Sequence, residues 1–209
     1  MRIFVIFAVG FSLTACGGGG SSSGNKPVIV GQGDSFEDAW AAAVAFGENI
    51  QTPIFEEEGV TAYADLPSDG TANYAGGVTG LDEGGTSGSP AIDYVANLDL
   101  TVDFETKEVT GTISDFVTSL AGFENPEGEI DVTGFIFDDG DDAGIEIDAD
   151  GELTSATATA TYGFSGDGVF AGNDARTMGG PGTTDFTWIF GPDTGTTSFS
   201  DNGWGALEY

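Results

Sequence analysis

The densest run of side chains able to do chemistry is Asp138-Asp139-Gly140-Asp141-Asp142, with Glu146, Asp148, Asp150 and Glu152 close behind. All of them offer oxygen and nothing else, and closely spaced oxygens suit calcium, a hard cation that takes about six to eight. Asp148-Ala149-Asp150-Gly151-Glu152 has the alternating acids and glycine of part of a calcium loop. A complete loop also needs a further ligand ahead of the glycine and a bidentate Glu at its far end. The competing reading is a solvated hairpin with an Asp-rich tip, since Gly140 and Gly151 are natural turn residues. The metal candidates are therefore Asp138, Asp139, Asp141 and Asp142, for calcium alone, and no other cofactor is expected.

Other chemistry has little to work with. The chain of 209 residues has no histidine, 35 Asp+Glu against 4 Lys+Arg, and a formal net charge of −31. Without histidine there is no Ser-His-Asp triad and no His-ligated zinc or haem. One cysteine allows neither an intramolecular disulfide nor a Cys metal cluster. Carboxylate pairs can hydrolyse glycosides, but among 35 acids some pair always falls at a suitable separation by chance. Gly85-Thr86-Ser87-Gly88-Ser89 lacks the spacing of a nucleophile elbow and has no base to activate a serine. We expect no enzyme. So few basic residues cannot grip a phosphate backbone, which removes nucleic acid as a partner, and anionic lipid headgroups repel such a surface. With 39% hydrophobic residues, including 16 Phe, the chain still has material for a real core and is no acidic tail.

The N-terminus reads as an export address over residues 1–15. Arg2 supplies the positive charge and residues 3–13 an apolar stretch too short to span a bilayer stably. Leu13-Thr14-Ala15-Cys16 then resembles a bacterial lipobox, and Gly17 to Ser23 follow as a Gly/Ser tether within residues 16–26. The resemblance implies that Cys16 is acylated (palmitate among the chains) and becomes the mature N-terminus. Acyl chains at about 0.8 kcal/mol per buried methylene hold a protein to a membrane. No Asp follows Cys16, which by the same resemblance implies a Gram-negative outer-membrane lipoprotein, surface-exposed or periplasm-facing.

These residues need elements to hold them. In the segment 27–58 a helix is expected over about 35–47: Asp34 or Ser35 as cap, Glu37 and Asp38 at the positive end of the dipole, and Phe36, Trp40, Ala43 and Val44 on one face, with Gly47 as the stop. From residue 59 the pattern changes to period two. Leu98, Leu100, Val102 and Phe104 alternate with Asn97, Asp99, Thr101 and Asp103, and Glu105 to Glu108 make the turn into Val109, Gly111 and Ile113. Further runs lie near 71–78, 130–137, 144–147, 153–164, 169–171, 186–190 and 196–199. Strands that neighbour one another in sequence and carry one polar face close most economically into a barrel, which leaves no edge. The fold class is all-β: an eight-stranded antiparallel up-and-down β-barrel with a short N-terminal helix. A membrane-spanning barrel needs a sustained apolar outer belt, whereas these outer positions carry Asp and Thr. The strand aromatics Phe104, Phe116, Phe135, Phe137, Phe186, Trp188 and Phe190 are expected in the core, with Trp204 and Tyr209 at the rim.

A lipobox, a glycine tether, Tyr74-Ala75-Gly76-Gly77 and the pair Leu100-Thr101-Val102-Asp103-Phe104 … Val109-Thr110-Gly111-Thr112-Ile113-Ser114 come in that order. Gly168-Val169-Phe170-Ala171-Gly172-Asn173-Asp174-Ala175-Arg176-Thr177-Met178-Gly179-Gly180 follows. Together they resemble the β-barrel domain of the transferrin-binding protein B family, where a segment of the form G-x-F-x-G-P-x-A-x-E-x-x-G joins two late strands. Phe170, Gly172, Ala175 and Gly179 or Gly180 match; Asn173 stands at the proline and Arg176-Thr177 departs from the acidic position. The resemblance covers residues 59–209 and implies an eight-stranded barrel on a lipid tether. It does not imply transferrin binding, because receptors of that family carry two lobes with handle domains, and no ligand residue transfers. The functional expectation is a monomeric, non-catalytic, membrane-anchored surface lipoprotein whose barrel binds a protein or solute. The alternatives are a structural acidic envelope protein, or a calcium-dependent binding module using residues 138–150.

Overall fold

The structure, a computed structural model, describes residues 26–31, 33–81, 92–190 and 193–209, with backbone alone for Phe186, Trp188, Phe190 and residues 193–201. Residues 1–25, which hold the expected export signal, Cys16 and most of the tether, lie outside the described residues.

Helix α1 spans Phe36–Phe46. Ser35, extended at φ −76°, caps it by accepting the Asp38 N–H at 3.2 Å, and Glu37 and Asp38 sit where the helix dipole is positive. Its buried side is Ala39 and Phe46, flanked by Phe36, Trp40 and Ala43, packed with Ile29, Val30, Val95 and Val117 on the outer wall of the barrel. Val44 was expected on that side but is 39% exposed. Each i+4 step overshoots a helical turn by about 40°, so two steps from Phe36 carry a residue off the buried stripe. Nor does Gly47 stop the helix. It stays right-handed (φ −59°, ψ −53°), and the chain widens into a π turn, Gly47–Gln51, then α2, Thr52–Glu57. Pro53 lies in the first turn of α2, where a missing N–H is tolerated. The true stop is Gly59, left-handed at φ +80°, where the N–H groups of Glu58 and Gly59 both reach the Ile54 carbonyl.

Eight strands then run β1 Thr71–Leu81, β2 Tyr94–Asp103, β3 Glu108–Thr118, β4 Ile130–Asp139, β5 Asp142–Thr154, β6 Ala158–Ala171, β7 Thr177–Phe190 and β8 Asp193–Glu208. Each pairs antiparallel with its sequence neighbour, and β1 pairs with β8 from Tyr74↔Glu208 to Leu81↔Asp201, closing the barrel. β5 and β6 are longer than their apolar runs suggested, and the run expected over 153–164 is cut by a turn. Outward Asp148, Asp150 and Glu152 continue β5 between inward Ile147, Ala149 and Leu153. The Ser155 hydroxyl accepts the N–H of Thr157 and of Ala158, folding the chain back.

The interior is one apolar cluster that includes Tyr74, Leu98, Ile113, Ile130, Ile145, Tyr162 and Phe170. Burying each such side chain contributes roughly 1.5–3 kcal/mol, and eight strands leave room for side chains to fill the barrel. One end receives the N-terminal segment. β5 and β6 are in register only from Gly144↔Val169, and residues 60–62 slot between their ends through Val60↔Ala171 and Ala62↔Asp142. Thr61 N–H donates to the Phe170 carbonyl and Ala143 N–H to that of Thr61, both at 2.9 Å. Leu66 then joins the core.

Three aromatic placements differ from expectation. Phe104 and Phe116 are inside, but β4 turns Ile130, Val132 and Ile136 inward, so Phe135 and Phe137 face outward with the opposite parity. Trp204 is not at the rim: it is 5% exposed and lies inside over β6. An added Cβ at Gly166 or Gly168 would sit 2.7 Å from its indole, so only glycine admits that ring. The side chains of Phe186, Trp188 and Phe190 fall outside the described ones. Tyr209 is half-buried, its N–H donating to the Asn73 carbonyl at 3.1 Å. Among the described residues no helix is long and apolar enough to cross a membrane.

Candidate functional site

The acidic run forms the β4–β5 hairpin. Asp139 pairs with Asp142, and the two residues between them, Gly140 (φ +65°) and Asp141 (φ +100°), are both left-handed, as a tight primed turn requires. Asp141 N–H donates to Asp138 Oδ1 at 3.2 Å, and its carbonyl accepts the Tyr63 N–H at 2.8 Å. Strand alternation divides the four acids. Asp138 follows the inward parity of Ile136, Asp139 and Asp142 follow the outward parity of Phe137, and Asp141 stands at the tip, all exposed. Further along, Asp148, Asp150 and Glu152 line the outer face of β5 at alternate positions rather than curling round a common centre. Among the described residues no group of three or more acids, Cys or His is set to hold a metal ion.

A second group, which nothing local in the sequence announces, lies inside the barrel. Tyr94 Oη shares a 2.6 Å hydrogen bond with Thr184 Oγ1 and a 3.3 Å contact with Tyr162 Oη, and Asn202 Nδ2 donates to Thr184 Oγ1 at 2.8 Å. The rings stack edge-on, Tyr94 to Tyr162 at 5.8 Å and Phe116 to Tyr162 at 5.1 Å. Burial pushes the Tyr94 hydroxyl up to about 12 despite its hydrogen bonds to Thr184 and Tyr162. Burial, then the proximity of Tyr94, pushes Tyr162 well above its ordinary value. The hydroxyls of Tyr94, Tyr162 and Thr184 hydrogen-bond to one another, and burial keeps both tyrosines neutral across the physiological range.

A third group clasps the β6–β7 connection that carries the family-like segment. Glu58, at the end of α2, accepts the backbone N–H and side-chain amide of Asn173, both at 3.0 Å, and pairs with Arg176 at 2.7 Å. Asp174 and Ala175 are both held at φ +60°. Their conformation is braced by Tyr74, whose hydroxyl donates to the Ala175 carbonyl at 2.7 Å. Burial, then the Glu208 charge, raises Tyr74 too; Glu208 itself is raised by burial and by Asp174.

The last group is on the outer wall of β3–β6. In one cross-strand row Glu108 is opposite Phe135, Phe135 opposite Glu146, and Glu146 opposite Asp167. The next row holds Phe137 opposite Gly144 and Gly144 opposite Val169. The Phe137 ring lies across Gly144, where an added Cβ would sit 2.6 Å from it, and the Phe135 ring is tilted against it with centroids 5.8 Å apart. Phe135 is 46% exposed. Among the described residues Lys26 pairs with Asp99 and Arg176 with Glu58, and Lys107 lies over the Tyr63 and Phe104 rings; no ion pair neutralises Glu108, Glu146 or Asp167. The opposing parities of isoleucine and phenylalanine in β4 were the sequence feature that could have placed this patch outside.

The fold and these groups define a closed, filled antiparallel barrel with a braced end and an outer wall on which acids recur from β2 to β6. No family model matches the chain, and no curated protein matches it.

Proposed function

We propose that this chain is a lipid-anchored, non-catalytic envelope protein, a single-barrel relative of the transferrin-binding protein B type, whose barrel binds a protein or solute through its outer surface. The observation that carries the reading is the pairing of a filled interior with an outer wall that keeps acids and Phe135 in solvent. Among the described residues buried side chains occupy the lumen, so the reading puts recognition on the exterior. The polar outer wall does not suit a lipid-facing belt, and the lipobox resemblance at Leu13 to Cys16 supports attachment through Cys16 instead.

The test is fractionation of cells expressing the full chain or its Cys16→Ser variant. The reading expects the wild-type chain in the outer-membrane fraction, released only by detergent, and the variant outside it. Equal partitioning of the two would overturn the anchoring.

A further inference from the structure

We propose that the outer wall around Phe135 and Phe137 docks a lysine- or arginine-bearing polypeptide segment that also carries apolar side chains; this rests on, and narrows, the binding function proposed above. Two features of one surface meet here. Phe135 and Phe137, their rings in tilted contact, form an aromatic strip that extends over Gly144 toward Val169. Carboxylates border it: Glu108 and Glu146 stand directly opposite Phe135, with Asp167 opposite Glu146. Like charges directly opposed across a strand pair destabilise a sheet, and an exposed phenyl ring gains nothing from water. A basic segment relieves both, because the methylene stem of a lysine or arginine covers an aromatic face while its charged head reaches a neighbouring carboxylate.

The geometry selects the class of occupant. Phe135 lies between Glu108 and Glu146, so these acids are separated by two strand spacings, about 9–10 Å, too far to share one metal ion. A chain of side chains can address them in turn. The sign of the patch rejects nucleic acid and anionic lipid, and a field of this sign steers a cationic partner, more strongly at low salt.

The experiment uses the full chain in non-ionic detergent and a fluorescein-labelled peptide of alternating lysine and leucine, followed by anisotropy at about 50 and about 300 mM NaCl. The variants are Phe135→Ser, the pair Glu146→Gln/Asp167→Asn, and the pair Asp150→Asn/Glu152→Gln further along the same outer wall. The pair at 146 and 167 removes an existing repulsion, so it tests the patch even if the serine variant fails to fold. We expect saturable binding that weakens with salt, a loss of about tenfold for Glu146→Gln/Asp167→Asn, and about fivefold for Phe135→Ser. Asp150→Asn/Glu152→Gln should change it less than about twofold. No saturable binding below ~1 mM, or equal losses from the two acid pairs, would overturn the proposal. So would spermine competing as well as the unlabelled peptide while Phe135→Ser binds normally, which would reduce the effect to bulk charge. Failure of the anchor shows in fractionation and leaves these curves unchanged, so the two readings fail separately.

Discussion

Raising the pH from about 9 to about 12 should unfold the barrel in one step, because its tyrosine hydroxyls are buried as neutral groups. The fold favours the protonated form, so the unfolded chain loses these protons first. Stability is then intact below the ordinary tyrosine value of 10 and falls as the pH climbs through the folded value. For Tyr94 that value is about 12, raised by burial against the opposing hydrogen bonds to Thr184 and Tyr162. The difference corresponds to roughly 3 kcal/mol lost once the pH exceeds both values. Tyr162, raised by burial and by Tyr94, and Tyr74, raised by burial and by Glu208, act in the same direction. A domain holds only about 5–15 kcal/mol in total, so the loss at Tyr94 alone is a sizeable share of it, and the other two hydroxyls add to it. The assay follows tyrosinate absorbance and far-ultraviolet circular dichroism in the same titration. Most of the tyrosinate signal should rise together with loss of the β spectrum. If all 5 tyrosines ionise while the β spectrum is retained, the hydroxyls reach water in the folded barrel and the reasoning fails.

Other consequences are equally direct. With a net charge of −31, the melting temperature should climb by several degrees between about 0.02 and about 0.5 M NaCl as self-repulsion is screened; a flat profile would contradict the charge argument. Glu58→Ala releases Asn173 and Arg176 together, and should cost about 1–2 kcal/mol in denaturant melts and speed hydrogen exchange at residues 172–176. Unchanged exchange there would show that the clasp does not hold the connection. Calorimetric titration with calcium should give no saturable binding tighter than ~1 mM, since alternation splits Asp138 from Asp139 and Asp142; a clear isotherm would restore the metal reading of the hairpin.

What was legible in the sequence followed the strength of alternation. The second strand was expected over 94–104 and runs Tyr94–Asp103, because Leu98, Leu100 and Val102 strictly alternate with polar residues. Closure into eight strands followed from neighbour pairing and from the need to hide edges. Where alternation was carried by small residues it was lost to view. Ala149 and Gly151 hold the inward parity of β5 without looking apolar, so the middle of that strand read as a gap. Gly47 misled because glycine tolerates a helix as well as ending one, and the barrel wall beside it holds the helical turn in place. Residue type alone does not place the aromatics: strand parity turns Phe135 outward and Trp204 inward. The Tyr94, Tyr162, Thr184 and Asn202 group was beyond reach: 68 and 90 residues separate Tyr94 from two of its partners, and only barrel closure brings them together.

The anchored envelope role is tested most directly by the intact mass of the full-length product, expressed in a Gram-negative host and extracted from the membrane with detergent. The account predicts a chain that begins at Cys16, lacks residues 1–15 and carries the added mass of thioether-linked acyl chains, with the unmodified mass recovered in Cys16→Ser. A wild-type chain that retains Met1, or begins at another residue with an unmodified cysteine, would contradict it.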